Sequence, residues 1–174
     1  PELNAEILRQ LGWLPPERMK RVRAPESHRL APIGAPGEPG FLALYLETPR
    51  GDYVVEFRAP VRFDAAIPRP AVLIREARAQ TTFLVHRNTG SYEWLQGDLF
   101  TDRENFISVR VDQVTPAGAT VTVDPAFAPG PLAEGEKCGN RERGRIAQCA
   151  AGLDCASRPF GTNNLQTADW FCQP

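Results

Sequence analysis

The chain has 174 residues, of which 42% are hydrophobic and 24% charged, a balance that excludes a disordered chain, a collagen and a coiled coil. Its net charge of -1 gives no basic excess to neutralise a phosphate backbone, so nucleic acid is not an expected partner. No apolar run approaches the roughly 20 residues that cross a bilayer, and we expect no membrane span.

The first predicted element is a short amphipathic helix. Leu3, Ile7, Leu8 and Leu11 recur at the spacing of one helical face, and Gly12 follows where a left-handed residue ends a helix at little cost. The chain starts at Pro1 rather than Met, so we expect a processed product or a piece of a longer protein, with a segment missing before it.

After residue 40 the apolar pattern changes to the period of two that is typical of strands. In residues 53–58, for example, Tyr53, Val55 and Phe57 alternate with Val54, Glu56 and Arg58. An edge strand is expected between residues 21 and 40, and further strands at 41–47, 53–58, 71–76, 82–86, 92–95, 106–112 and 119–124. Short strands and a single helix predict a mostly β protein, an antiparallel β-sandwich with one short N-terminal helix.

Composition divides the chain into three parts. Residues 1–124 form the predicted sandwich domain with its helix, and residues 125–137 are a linker rich in proline and glycine. Residues 138–174 are too few to be held together by apolar burial alone. This last part contains the four cysteines of the chain, Cys138, Cys149, Cys155 and Cys172.

The cysteine spacing favours disulfides over a zinc site. Zinc ligands come as pairs two to four residues apart or with a nearby histidine, whereas these gaps are about ten, five and sixteen residues. Neither histidine, His28 or His86, lies in this part of the chain. We therefore expect a small disulfide-bonded module and, because disulfides persist in oxidising compartments, a secreted or cell-surface protein.

The sequence contains no recognisable active-site motif. Neither His28 nor His86 belongs to a His-Glu-x-x-His helix, and both are expected to be structural. There is also no Gly-x-Ser-x-Gly elbow and no phosphate-binding Gly-x-x-x-x-Gly-Lys loop. We expect this chain to be no enzyme, to carry no catalytic residue and to need no cofactor.

Two weaker patterns point to ligands. Asp98, Asp102 and Glu104 lie in one predicted loop and supply the oxygen ligands that calcium prefers, although turn residues more often bond their own backbone. The aromatic residues Trp13, Tyr92 and Trp94 are candidates for a platform that binds a sugar or another ligand, although aromatics at strand spacing more often pack in the core.

The cysteine-rich end resembles part of the N-terminal module of insulin-like growth factor binding proteins. Cys-Gly at 138–139, Cys-Ala-Ala-Gly-Leu-Asp-Cys at 149–155 and a last cysteine carry this resemblance. It implies disulfides from Cys138 to Cys155 and from Cys149 to Cys172. The longer cysteine pattern of that family is absent, so growth-factor binding does not carry over, and the module is either a structural cap or a binder.

The larger part of the chain contains Leu-Asn-Ala at 3–5 and Leu-Gly-Trp-Leu at 11–14, followed by short segments at residues 53–58, 63–68, 71–74, 97–101 and 119–123. In this order they resemble secreted zinc metalloproteases of the gametolysin and immune inhibitor A type. In that family the first two motifs belong to a helix that follows the zinc-binding helix. This succession implies the β-sandwich behind the catalytic domain. The zinc motif His-Glu-x-x-His-x-x-Gly-x-x-His is not present, so no catalytic residue transfers to this chain.

Together these observations predict a non-catalytic secreted accessory module that positions a substrate or partner. Its expected partners are a protein or glycan ligand, or a metalloprotease catalytic domain. Two alternatives stay open. The chain is a structural or adhesive protein that self-assembles through its sheet edges, or it is the C-terminal fragment of an active zinc protease.

Overall fold

The computed structural model describes residues 3–48, 52–78, 81–87, 90–103, 105–127, 137–140, 149–160 and 165–173. It has the predicted fold, an antiparallel β-sandwich with one short N-terminal helix and a disulfide-bonded C-terminal module. The chain forms two compact units, Pro1–Thr101 with Ser108–Ala126, and Asp102–Ile107 with Phe127–Pro174. Within the described residues, no helix is both long and apolar enough to cross a membrane.

The predicted helix is α1, Ala5–Gln10. The Asn4 side chain caps its first turn, because its Oδ1 accepts a hydrogen bond from the Ile7 N–H at 3.0 Å. Gly12 ends the helical segment with a φ of +70°, the left-handed conformation that glycine adopts without a steric penalty. The sequence therefore predicted both the helix and its stop signal.

The sandwich contains two sheets. Its strands are β1 (Met19–Arg21), β2 (Glu26–Leu30), β3 (Ala43–Leu46), β4 (Asp52–Arg58), β5 (Ala71–Arg78), β6 (Thr81–Leu84), β7 (Leu99–Asp102), β8 (Ile107–Thr115) and β9 (Gly118–Asp124). One sheet has the order β1-β3-β4-β5-β6, and the other has the order β2-β9-β8-β7. Strands β1 and β3 are parallel, and the pairings of β3–β4, β4–β5, β5–β6, β2–β9 and β8–β9 are antiparallel.

Three predictions of local structure were wrong. Residues 92–95 do not form a strand, and only Trp94 makes a single bridge, to Val72. Leu99–Asp102, predicted as a turn, is the edge strand β7, and Met19–Arg21 is a strand that the sequence analysis did not include. These edge elements are too short to show a clear period of two, and their neighbours in the sheet decide their conformation.

Strand β4 is buried on both of its faces. Tyr53 on one face contacts Phe100 of β7 with 5.4 Å between the ring centroids, so that face packs against the opposite sheet. Val54 on the other face belongs to a buried cluster with Ala5 of α1 and Leu14. The helix therefore covers the outer face of the sheet.

The polar residues of that outer face form a buried ionic network. Glu56 is fully buried and accepts hydrogen bonds from Arg75 Nε at 3.1 Å and Arg58 Nε at 3.3 Å. Arg58 Nη1 also donates to Asp64 Oδ1 at 2.8 Å. These four side chains carry two positive and two negative charges, and each of them contacts a side chain of opposite charge.

The same network holds the start of the described chain against the sheet. Glu56 Oε2 accepts a hydrogen bond from the Ala5 N–H at 2.7 Å, and Arg58 Nη2 donates one to the Leu3 carbonyl at 2.9 Å. Asn4 Nδ2 donates to Thr82 Oγ1 of β6 at 3.0 Å. We call this set of contacts the N-terminal clamp; it fixes residues 3–5 on the sandwich.

The loop rich in proline and glycine before β3 is held by one arginine. Arg18 donates to the carbonyl oxygens of Gly40 and Glu38, each at 2.7 Å, and to that of Pro36. Gly40 has a φ of +125°, and a Cβ atom there would lie 2.7 Å from the Arg29 carbonyl oxygen. This turn therefore requires glycine.

The second unit contains a separate three-stranded sheet. Its strands are β10 (Lys137–Asn140), β11 (Asp154–Phe160) and β12 (Leu165–Gln173), in the antiparallel order β10-β12-β11. A disulfide joins Cys149 to Cys172, which is the second of the two bonds that the sequence resemblance implied. Cys172 is fully buried, with Phe106 and Leu153 packed around it.

The other predictions for this part of the chain concern the first disulfide, the zinc alternative and the linker. Cys155 is disulfide-bonded, whereas the side chain of Cys138 lies outside the described ones. Disulfide sulfur atoms are not the thiolates that bind zinc, so Cys149, Cys155 and Cys172 do not form a zinc site in this structure. Most of the predicted linker, 125–137, lies outside the described residues.

Candidate functional site

A cleft in the first unit brings several of the predicted site residues together. It has a volume of about 290 Å³ and lies between β7 and the chain that follows β6. Its lining consists of His86, Arg87, Trp94, Asp98, Leu99, Phe100 and Thr101. Trp94 and Asp98 were candidates from the sequence, and Tyr92 packs directly on His86 at the rim.

The floor of the cleft is aromatic and fixed by the sheets. The indole of Trp94 is buried and meets the ring of Phe100 edge to face, with 5.5 Å between the centroids. The backbone of Trp94 exchanges two hydrogen bonds with Val72 of β5, at 2.9 and 3.0 Å. Both rings are therefore held by backbone pairing and by the core, which is the rigidity that a binding floor needs.

An ion pair forms one wall. Arg87 Nη2 donates to Asp98 Oδ1 at 2.7 Å, and Asp98 Oδ2 accepts a hydrogen bond from the Leu95 N–H at 2.6 Å. The backbone N–H of Arg87 donates to the Ser91 carbonyl at 2.7 Å, which closes the turn at the rim. Both charged side chains stay partly accessible, so each can also contact a ligand.

The rim carries a tilted aromatic pair, in which His86 lines the cleft and Tyr92 packs on His86. The rings of His86 and Tyr92 have centroids 4.0 Å apart and planes inclined by 44°. Tyr92 and Leu99 are among the exposed large apolar side chains. The cleft thus combines aromatic and apolar groups with a polar wall.

The third aromatic candidate lies elsewhere. Trp13 follows α1 and is exposed, and it is not among the residues that line the cleft. Trp13 lies just after α1, whereas Trp94 lines the cleft and Tyr92 packs on His86, so the three aromatic residues do not form one platform. The backbone N–H of Trp13 donates to the Leu8 carbonyl at 2.8 Å.

The acidic candidates have other partners in the structure. Asp98 pairs with Arg87, and Asp102 Oδ1 accepts a hydrogen bond from the Asn105 N–H at 3.0 Å. Glu104 lies outside the described residues. In the part of the chain that the structure describes, no three His, Cys, Asp or Glu side chains are grouped to hold a metal ion.

His28 is a buried structural residue. Its ring meets Phe41 edge to face with 5.6 Å between the centroids, and its Nε2 lies 3.3 Å from Glu26 Oε1. Desolvation lowers the pKa of His28 below its ordinary value, and Lys20 acts in the same direction, whereas Glu26 opposes the shift.

This burial predicts a loss of stability in mild acid. Because the unfolded chain protonates His28 more readily than the folded one, the free energy of unfolding should fall as the pH drops below about 6.5. His28→Gln should flatten this fall, and urea unfolding at several pH values between about 7.5 and 5 would measure it. Parallel pH profiles of the two proteins over this range would contradict the assignment.

The sequence analysis missed the polar wall of the cleft. It treated His86 as structural and did not select Arg87, because a pair eleven residues apart across a loop shows no pattern in the sequence. No protein-family model matches the chain, and neither a curated protein nor a solved structure matches it. The function proposed for the chain therefore rests on the geometry of the first unit.

Proposed function

We propose that the chain is a non-catalytic binding module of a secreted, metalloprotease-like protein, and that its cleft holds part of a substrate or partner. The observation that carries this proposal is the cleft itself. It unites a fixed floor of Trp94 and Phe100 with the accessible pair Arg87 and Asp98. These groups serve to bind and orient, because each charge already has a partner and the rings are held in place.

The N-terminal clamp supports an accessory role. The residues that resemble the metalloprotease family, 3–5 and 11–14, lie at the two ends of α1. Glu56 and Arg58 hold the Ala5 N–H and the Leu3 carbonyl from within the sandwich. A catalytic domain joined ahead of Leu3 would therefore meet the module at a fixed point, which suits a module that positions a substrate.

The test uses two leucines that are exposed to a similar extent. Leu99 lines the cleft and is 54% exposed, whereas Leu11 follows α1 and is 50% exposed. We expect the whole chain to bind gelatin, fibronectin or fetuin saturably on a biosensor surface. Leu99→Glu should weaken that binding at least about tenfold, which corresponds to about 1.4 kcal/mol, and Leu11→Glu should leave it unchanged.

Three results would overturn the proposal. The first is a lack of binding to any protein of this panel, and the second is equal weakening by both leucine variants. The third is hydrolysis of a panel protein by the purified chain with added zinc, seen alongside an active zinc protease as positive control and lost in Leu99→Glu. The third result would make the chain an enzyme rather than a binding module.

A further inference from the structure

We infer that the cleft binds a neutral sugar ring through two neighbouring hydroxyl groups. This inference rests on the proposed binding function and names the chemical class of its ligand. Three features of the cleft carry it: the charge of the wall, the aromatic rim, and the volume.

The wall favours a neutral ligand that both donates and accepts hydrogen bonds. Arg87 and Asp98 are 2.7 Å apart. An anion that approaches the guanidinium is therefore repelled by the carboxylate, and a cation that approaches the carboxylate is repelled by the guanidinium. A hydroxyl group has one donor and two acceptor sites. Two hydroxyls on adjacent carbons can thus accept from Arg87 and donate to Asp98 at the same time.

The rim provides an apolar surface beside this polar wall. The rings of His86 and Tyr92 are in contact, with centroids 4.0 Å apart and planes inclined by 44°, and Tyr92 is exposed. A sugar ring presents C–H groups on its faces and hydroxyls around its edge. It can therefore pack on the aromatic rim while its hydroxyls reach the ion pair, and a purely charged or purely apolar ligand can satisfy only one of the two surfaces.

The volume limits the size of the bound group. About 290 Å³ is just below the roughly 300–1,000 Å³ of sites that enclose drug-sized ligands. The cleft therefore accommodates one sugar ring, and the rest of a longer glycan would lie in solvent. This agrees with a ligand carried on the surface of a glycoprotein.

In the experiment, the whole chain is titrated with single sugars, and calorimetry measures the heat of binding. The probes are the methyl glycosides of glucose, galactose, mannose and N-acetylglucosamine, with glucuronate and glucosamine as the charged counterparts of glucose. At least one neutral glycoside should bind saturably. If that is the glucoside, glucuronate and glucosamine should each bind at least about fivefold more weakly. Glucuronate brings a carboxylate beside Asp98, and glucosamine brings an ammonium group beside Arg87.

Matched variants place the binding in the cleft. Arg87→Met keeps much of the aliphatic part of the side chain and removes its donors, and Tyr92→Ala removes the exposed ring beside His86; each should weaken sugar binding at least about tenfold. Phe83→Ala is the control, since Phe83 is an aromatic residue of β6 that is 52% exposed and does not line the cleft. Thermal unfolding of each variant checks that it is folded.

Each outcome supports or overturns the inference. Binding of a sugar that Arg87→Met and Tyr92→Ala leave unchanged would overturn it, as would failure of every neutral glycoside to bind. If no glycoside binds but fibronectin stripped of its glycans still binds in a manner sensitive to Leu99→Glu, the sugar inference fails and the proposed function stands. If no glycoside and no protein of the panel binds, both fail.

Discussion

Glu56→Ala should lower the free energy of unfolding by about 3–5 kcal/mol, the usual cost of removing one partner from a buried ionic network. Glu56 is fully buried, and its carboxylate accepts hydrogen bonds from Arg58, Arg75 and the Ala5 N–H. Without it, Arg58 keeps the carboxylate of Asp64, whereas the buried guanidinium of Arg75 loses the carboxylate that it contacts. The loss is therefore dominated by uncompensated charge rather than by the missing contacts.

Urea unfolding would measure this loss, with Glu38→Ala as the control. Glu38 is exposed, so its replacement should change stability by no more than about 0.5 kcal/mol. Hydrogen exchange at the Ala5 amide should also accelerate in Glu56→Ala, because the clamp that holds α1 has lost its acceptor. A loss below about 1 kcal/mol, or unchanged exchange at Ala5, would contradict the role assigned to the network.

Phe57→Ala should cost a similar amount, about 3–5 kcal/mol, for a different reason. Phe57 is fully buried on β4, opposite Val72 of β5, and it lies on the same strand face as Tyr53, which packs against the opposite sheet. Removing its ring leaves a cavity between the two sheets that the paired backbones cannot close.

The exposed Phe83 again provides the matched control, because the same substitution on β6 removes little buried surface. Phe83→Ala should therefore change the stability by less than about 1 kcal/mol. The urea midpoint of each variant, read at an unchanged denaturant slope, gives the two values. Equal losses of stability in the two variants would contradict the assignment of Phe57 to the core between the sheets.

Most of the fold was predictable because its signals are local. The helical spacing from Leu3 to Leu11, with Gly12 after it, is enough to predict α1. The period of two predicted β8 and β9, where Ile107, Val109, Val111, Ala119, Val121 and Val123 are all buried. The pattern could not show that α1 covers the face of β4 that carries Glu56, since an alternating polar face is equally typical of a face exposed to solvent.

The candidate site was predictable only in part. Tyr92, Trp94 and Asp98 were selected for their chemistry, and they do lie at one cleft. Arg87 could not be selected, because its meeting with Asp98 depends on the turn after β6 and on β7, an element that the pattern did not predict. Long-range pairs of this kind are set by tertiary packing and leave no trace in local periodicity.

An NMR map of the ¹⁵N-labelled chain with each protein of the panel, namely gelatin, fibronectin and fetuin, would locate the binding surface residue by residue. We expect the amide signals of residues 86–87 and 94–101 to shift or lose intensity first, and we expect Leu99→Glu to remove the effect. Changes confined to residues 11–14 after α1, or to the edge strand β2, would contradict the proposed function, because the binding surface would then lie away from the cleft.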